Sequence, residues 1–240
     1  MKKIVIYTAV SDGYDNLYKI PNKLREYKFI CFSDTYYENI NGWEIRPFPN
    51  EELDKVRRCR DVKIRPHIYL KEYDISVWVD ANIAFRITLI DEIRDFIKSC
   101  DLIKVFEHPS RDCIYSEADF CIKKGKDEPD IIKKQINFYS SISYPKNNGL
   151  IESNVVIRNH NNPLIVKCMS DWWGMVSNYS RRDQLSFNYC LWLNRLNYSK
   201  FNGNSRYGNS TFRIRPHRKK VTIYYREKIM LFLNRIFKRT

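Results

Sequence analysis

Apolar residues fall in two rhythms along this chain. Ile4 to Val10, Phe29 to Phe32 and Ile75 to Val79 are nearly unbroken apolar runs of strand length, the pattern of parallel strands buried on both faces. Each run stops on polar residues: Ser11-Asp12-Gly13-Tyr14-Asp15, Ser33-Asp34 and Asp80-Ala81-Asn82. Leu102 to Phe106 and Leu150 to Ile157 read as further strands. Elsewhere the spacing turns helical. Val56, Cys59, Lys63, Pro66 and Leu70 lie at helical intervals, and Pro66 should break that helix. Leu89 to Ser99 reads as a helix capped by Thr88, with Asp91 three residues on. Ile114 to Lys124 reads as one closed by Gly125, and a third starts with Pro129 in its first turn and runs to about Tyr139. Pro163 to Val176 carries helical spacing, and Ser180-x-x-Asp183 opens a last helix running to about Arg195.

Alternating strands and helices in 240 residues, without repeat or linker, imply one α/β domain. Hydrophobic content of 43% and aromatic content of 15% support a packed core, while a mean hydropathy of −0.54 leaves no room for a membrane-spanning protein. Seven scattered cysteines without a CxxC pair indicate neither a disulfide framework nor a zinc site, and fit a reducing, cytoplasmic setting. Met1-Lys2-Lys3 precedes an apolar run too short for a signal peptide, so Ile4 to Val10 is taken as the first strand. The net charge of +14 calls for an anionic partner: a nucleotide sugar, an acidic polysaccharide, nucleic acid or lipid headgroups.

In open α/β sheets the carboxyl ends of the strands form the ligand crevice, which brings the three polar clusters into one place. Asp80 and Asn82, either side of Ala81, can reach one point, and such oxygen ligands suit Mg²⁺ or Mn²⁺ carrying a diphosphate. A surface turn is the plainer reading of that tripeptide. Glu152 and Asn154 share one strand face after Asn147-Asn148-Gly149, where the carboxylate can bind sugar hydroxyls or act as a base. The same segment also reads as an Asn-Gly turn with an edge strand. Asp183 and Gln184, followed by Asn188, put polar groups near one helical turn, although Asp183 at a helix start is equally a cap. The four histidines are too dispersed for a zinc spacing, but His217 stands among Arg215, Arg218, Lys219 and Lys220, where a returning loop can face a diphosphate.

The stretches YTAVSDGYDNL, RCRDVKIRPHIYL, YDISVWVDANI, FEHPSRDCIYSEA, YPKNNGLIESNVVIRNHN and SRRDQLSFNY together resemble a glycosyltransferase-like family, once of unknown function. It includes plant mucilage-related proteins and bacterial capsule or lipopolysaccharide enzymes. The resemblance spans about residues 3 to 218. It implies a single-domain, Rossmann-like type A glycosyltransferase fold with a mixed central sheet. Asp80-Ala81-Asn82 then stands for the Asp-x-Asp metal motif, with Asn in place of the usual final Asp. The order Asp-x-Asp, Asp-Gln, late His is similar to that of retaining glycosyltransferases of the glycogenin-like group. That similarity implies Mn²⁺ or Mg²⁺ ligation by Asp80, Asn82 and His217, and acceptor-side or catalytic duty for Asp183 and Gln184.

The resulting expectation is transfer of a sugar from a nucleotide-sugar donor to a surface polysaccharide or glycolipid acceptor. Glu152 joins Asp183 and Gln184 as catalytic, and nucleotide contacts fall to Thr8, Ala9, Asp12, Tyr14, Asp34, Arg60 and Lys63. Acceptor contacts fall to His108, Arg111, Asn148 and Asn154. Two other classes compete: a metal-dependent hydrolase on the same scaffold, and a nucleic-acid binder motivated by charge and 17 tyrosines but lacking a binding motif. The catalytic domain is expected to occupy residues 1 to 220. Beyond it Ile229, Phe232, Leu233, Ile236 and Phe237 fall on one helical face ringed by Arg226, Lys228, Arg235, Lys238 and Arg239. That pattern reads either as an interfacial helix on an anionic membrane, peripheral at its inner face, or as a helix packed on the domain.

Overall fold

The computed structural model describes residues 2–206 and 209–218. The strands are β1 (Ile4–Val10), β2 (Lys28–Ser33), β3 (Glu44–Arg46), β4 (Ile75–Val79), β5 (Ile83–Phe85), β6 (Ile103–Glu107), β7 (Ile151–Arg158), β8 (Ser199–Lys200) and β9 (Phe212–Ile214). The helices are α1 (Lys55–Ile64), α2 (Pro66–Tyr69), α3 (Leu89–Ser99), α4 (Ile114–Lys123), α5 (Pro129–Ser141), α6 (Pro163–Asn178) and α7 (Phe187–Leu193). Seven strands form one mixed sheet in the order β3-β2-β1-β4-β7-β6-β8, and β5 pairs with β9 beside it. The three apolar runs are its adjacent parallel strands, β2-β1-β4, while β7 runs antiparallel to β4 and β6. The expected α/β architecture with a mixed central sheet is therefore the one observed.

Alternation along β1 sorts the core into two layers. Val5 and Tyr7 pack with residues of α1, α6 and α7, whereas Ile6 and Val10 pack with Ile93 and Phe96 of α3. Covered on both faces, β4 buries every residue, which is why its sequence is a run rather than an alternation. The expected break at Pro66 separates α1 from α2, because a residue before proline is driven from the helical region; Arg65 sits at φ −110° and ψ 48°.

Three expectations need correction. Thr88 does not cap α3 with its side chain; its hydroxyl instead accepts from Thr211 Oγ1 at 2.9 Å, tying the helix start to the strand that pairs with β5. The segment at 150–157 is no edge strand, since β7 lies between β4 and β6. The helix expected from Ser180 shrinks to a single 3-10 turn, Asp183–Leu185, ahead of α7. Side chains from other elements capture that turn: Trp172 Nε1 donates to the Asp183 carbonyl at 2.9 Å and Tyr139 Oη to the Leu185 carbonyl at 3.0 Å. All seven cysteines are free thiols. Among the described residues no helix is long and apolar enough to cross a membrane. The basic amphipathic segment after residue 220 lies outside the described residues.

Candidate active site

The break after α1 shapes the centre of the site. In an unbroken helix the Lys63 carbonyl would accept from the fourth residue on; here it is freed and is taken by Tyr7 Oη at 2.7 Å and by the guanidinium of Arg158. So pinned, Lys63 sends its ammonium group inward, only 1% exposed, to Asp183 Oδ2 at 2.6 Å and Ser153 Oγ at 3.0 Å. Asp80 Oδ1 stands 3.7 Å from the same nitrogen. Ser153 Oγ also donates to Asp183 Oδ2 at 2.9 Å, and Arg60 Nε lies 3.2 Å from Asp183 Oδ1. Burial pushes the Asp183 pKa up, but Arg60 and Lys63, with Arg182, outweigh it and hold the carboxyl well below the usual carboxylate range.

Asp80 ends β4 and closes a tight turn, Ile83 N–H donating to its carbonyl at 2.8 Å. Trp78 Nε1 fixes its Oδ1 at 2.7 Å, and the Lys63 ammonium lies 5.5 Å from the Trp78 ring centroid. The side chain is 32% exposed and Oδ2 makes no hydrogen bond among the described residues, so Oδ1 is held rigidly and Oδ2 is left for a ligand. Asn82 faces the returning chain: its Nδ2 donates to the Arg215 carbonyl at 3.0 Å, and Arg215 N–H donates to the Asn82 carbonyl at 2.8 Å. Two residues later His217 Nδ1 meets Asp15 at 2.9 and 3.1 Å, under the Tyr14 ring.

These contacts bear on the metal that the motif implies. Asp80 Oδ2 and the amide oxygen of Asn82 are hard donors from one turn. A carboxylate bonded to one ring nitrogen of a histidine orients the ring so that the other nitrogen can bind a metal, and Asp15 on Nδ1 leaves His217 Nε2 for that role. Among the described residues no three His, Cys, Asp or Glu side chains gather into a metal cluster. Asp80, Asn82 and His217 offer one carboxylate, one amide oxygen and one imidazole, a donor set that suits a hard cation only where a substrate shares the ligation.

The strand-end residues assigned to the nucleotide divide into two groups. Thr8 is buried at the end of β1 with its Oγ1 unpartnered among the described residues, and Ala9, beside it, is half-buried. Arg60 Nε makes no well-aligned hydrogen bond there, but it faces the Asp183 carboxylate at 3.2 Å. An orphaned group such as the Thr8 hydroxyl is what a bound polar ligand satisfies. Asp34, by contrast, is engaged within the protein: it accepts from Ser11 Oγ, Asp12 N–H and Thr35 Oγ1 at 2.7, 2.8 and 3.0 Å, and pairs with Arg58. Burial opposes its ionisation, but these bonds and Arg58 lower its pKa. They hold Asp12, at φ +57°, in the tight turn that presents Tyr14.

On the other side of β4, β7 carries a register shift opposite Val105 and Phe106. Bulges re-aim side chains beside active sites. Here Ser153 turns to Asp183 while Glu152 and Asn154 both reach Ser205, at 3.1 and 2.7 Å, so the expected shared face is observed. Glu152 is buried and also paired with Arg206. Gln184 Nε2 donates to the Ile151 carbonyl at 2.9 Å. His108 and Arg111 form their own cluster at the end of β6. Nδ1 of His108 accepts from Ser110 and Arg111 N–H, and Arg111 pairs with buried Glu117 at 2.6 Å. Burial, then Arg111, brings the His108 pKa down to about 4. Asn148 is exposed and lies further off, against Tyr144.

Several members of the site were not singled out from sequence. Trp78 is two residues before Asp80 and Ser153 is flanked by Glu152 and Asn154, so strand alternation was a usable signal for both. Asp15 belongs to the polar cluster that ends the first strand, but Ser205 and Arg206 carry no such signal, since only the late return of the chain brings them to Glu152.

The family model described as TOD1/MUCI70, glycosyltransferase-like domain, matches residues 34–212. That span includes Asp80, Glu152 and Asp183 but not Thr8, Asp15 or His217. No curated protein matches the sequence. Among solved structures, apo mouse xyloside xylosyltransferase 1 is 12% identical with a TM-score of 0.40, the alignment covering 79% of this chain and 80% of that one. The apo bifunctional glycosyltransferase WbbM is 9% identical with a TM-score of 0.49, over 83% of this chain and 38% of that one.

Proposed function

The chain belongs to the TOD1/MUCI70 glycosyltransferase-like family, and from that premise we propose that it transfers a sugar from a nucleotide-sugar donor to a polysaccharide or glycolipid acceptor with the help of a divalent cation. One observation carries the reading. Past the end of β4 a one-third-exposed carboxylate, Asp80, stands 3.7 Å from the buried Lys63 ammonium, and Lys63 shares Asp183 with the partly buried Arg60.

Departure of a nucleoside diphosphate builds negative charge on its phosphates, and preorganised positive groups at that place lower the barrier. Mn²⁺ or Mg²⁺, held by Asp80, Asn82 and His217, would supply most of that charge and orient the diphosphate. Arg60, whose Nε faces Asp183 Oδ1 at 3.2 Å, adds a second positive charge beside Lys63. Asp183, with both oxygens engaged and almost no exposure, acts through Lys63 and Arg60 rather than on the sugar. It fixes both cations while a substrate comes and goes. Thr8 and Tyr14 border the space for the nucleoside, Tyr14 offering an exposed ring for stacking.

Asp80→Ala tests the assignment, because a partly exposed strand-end ligand contributes charge to the site and little to the core. Titration of the folded variant with nucleoside diphosphates and nucleotide sugars, with and without Mn²⁺, is expected to show loss of the Mn²⁺-dependent part of the affinity. Unchanged Mn²⁺-dependent binding would sink the metal and donor roles together.

A further inference from the structure

A cleft of about 680 Å³ opens between the loop before β7 and the end of α7. Sites for small molecules span roughly 300–1,000 Å³. The lining sets planar polar groups beside aromatic rings: Asn148, Asn188, Trp192, Arg195, Asn197 and Tyr198. Trp192 is 40% exposed although its ring stands edge-on to Tyr144 at 5.2 Å. Two backbone features maintain this shape. Gly149 has φ +79°, and a Cβ there would come within 3.3 Å of Asn188 Nδ2 and 3.4 Å of Tyr198 Oη, so the floor depends on glycine. Arg195 holds a left-handed φ of +52°, a strained conformation for a side-chain-bearing residue of the kind found at ligand sites.

The cleft is joined to the reaction centre through one residue of β7. Asn188 Oδ1 accepts from the Ile151 N–H at 3.0 Å, and Gln184 Nε2 donates to the Ile151 carbonyl at 2.9 Å. Two residues along the strand, Ser153 donates to Asp183. The wall of the cleft and the charged centre are thus built on the same short piece of strand.

We propose that this cleft is the acceptor subsite and that it holds a pyranose unit of a carbohydrate chain, ring face on Trp192 and hydroxyls on the side chains of Asn148, Arg195 and Asn197. The proposal rests on the transfer reading given above. A pyranose has an apolar C–H face and a rim of hydroxyls that both donate and accept. An exposed indole flanked by carboxamides answers both. Arg195 adds a bidentate donor for a carboxylate on the sugar, in keeping with the chain's charge of +14.

The test probes the full chain on an array of neutral and uronate-containing oligosaccharides, in parallel with calorimetric titration of nucleotide sugars. The expected result is retention of at least one glycan class, weakened about tenfold or more by Trp192→Ala and by Asn148→Ala. Nucleotide-sugar affinity should be kept in both variants. Asn148 is exposed, so its variant folds even if the tryptophan variant does not. Glycan retention unchanged in both variants overturns the subsite, as does failure to retain any glycan by wild-type protein that binds a nucleotide sugar. Retention through Trp192 by protein that binds no nucleotide sugar overturns the transfer reading and leaves the cleft a carbohydrate site. Wild-type protein that binds neither overturns both.

Discussion

Lys63 and Arg158 are two fully buried cations joined at one carbonyl, and the fold treats them in opposite ways. The Lys63 ammonium is neutralised by Asp183 at 2.6 Å and borders Asp80, which is open to solvent. The Arg158 guanidinium meets no carboxylate among the described residues. It donates to Tyr7 Oη and the Lys63 carbonyl, and has Ser76 Oγ at 3.4 Å and Met169 Sδ at 3.0 Å. Burial lowers its pKa, with Tyr7 opposing. A paired charge next to an open carboxylate can be shared with an arriving anion. An unpaired one, ringed by neutral acceptors, can only hold geometry, and what it holds is the carbonyl of the other. The contrast separates a residue kept for chemistry from one kept to position it.

The strongest way to break the contrast is to remove the counter-ion. Asp183→Ala leaves the buried Lys63 and the partly buried Arg60 without a carboxylate at hydrogen-bond range, and stranding a buried charge costs about 3–5 kcal/mol. Chemical denaturation should read a loss of that size, with transfer abolished. A cost below about 1 kcal/mol would mean that the charges are screened by water and that the pair is no anchor. The pH dependence has a fixed sign. Because the folded-state pKa is depressed, the contribution of Asp183 is present above the unfolded value of about 4 and lost only as pH falls through the lower folded value. The stability gap between wild type and Asp183→Asn should stay level from neutral pH to about pH 4 and close below it.

The same two residues mark how far the sequence could be read. Parallel strands, their order of burial and the break at Pro66 followed from runs and from proline chemistry, because those signals are local. Asp80 by its motif and strand end, Asp183 by the resemblance and Lys63 by its place on the helix beside the strand ends are expected in one site, and they do meet. The counter-ion role of Asp183 was not legible. As a residue following Ser180 by three it looked like a cap, and only the tertiary capture of its turn by Trp172 and Tyr139 redirects its carboxylate inward. Arg158 ends an apolar run that reads as an ordinary strand. Nothing local announces that a strand-end arginine turns into the core, since its acceptors come from α1, β1, β4 and α6. Likewise the Asp15 and His217 pair spans the length of the chain.

A smaller effect is expected from Arg158→Met, which removes the charge and keeps much of the volume. The Lys63 carbonyl retains the Tyr7 hydroxyl at 2.7 Å, so no buried acceptor is left without a partner. Replacing a buried ion by an apolar side chain of similar size changes stability by about 1.5 kcal/mol or less, or raises it. Denaturation should therefore rank this variant well above Asp183→Ala, with activity reduced as the Lys63 ammonium loses its exact register. If Arg158→Met proved as costly as Asp183→Ala, the guanidinium would be bearing charge that the contrast denies it.

The smallest expected effect reads the field of Arg158 directly. His160 is fully buried; its Nε2 donates to the Leu70 carbonyl at 3.0 Å and its Nδ1 has no partner among the described residues. Protonation would bury a second N–H with nothing to accept it. Burial is the main reason its pKa falls to about 4, the Leu70 bond opposes, and the nearby Arg158 charge adds to the fall. His67 follows the same pattern, burial first and Arg158 next, at about 4. In wild type the unfolded chain binds these protons from about pH 6.5 downward while the folded chain refuses them, so stability drops across that window by up to about 1.4 kcal/mol per pH unit for each histidine. Arg158→Met leaves the burial and removes the field. Ring-proton NMR should then show the His160 pKa rising modestly while staying below 6.5, with a shallower loss of stability toward acid. An unchanged pKa would show that the Arg158 charge is already neutralised by its acceptors. A rise to the ordinary histidine value would show that the field, and not burial, keeps His160 neutral.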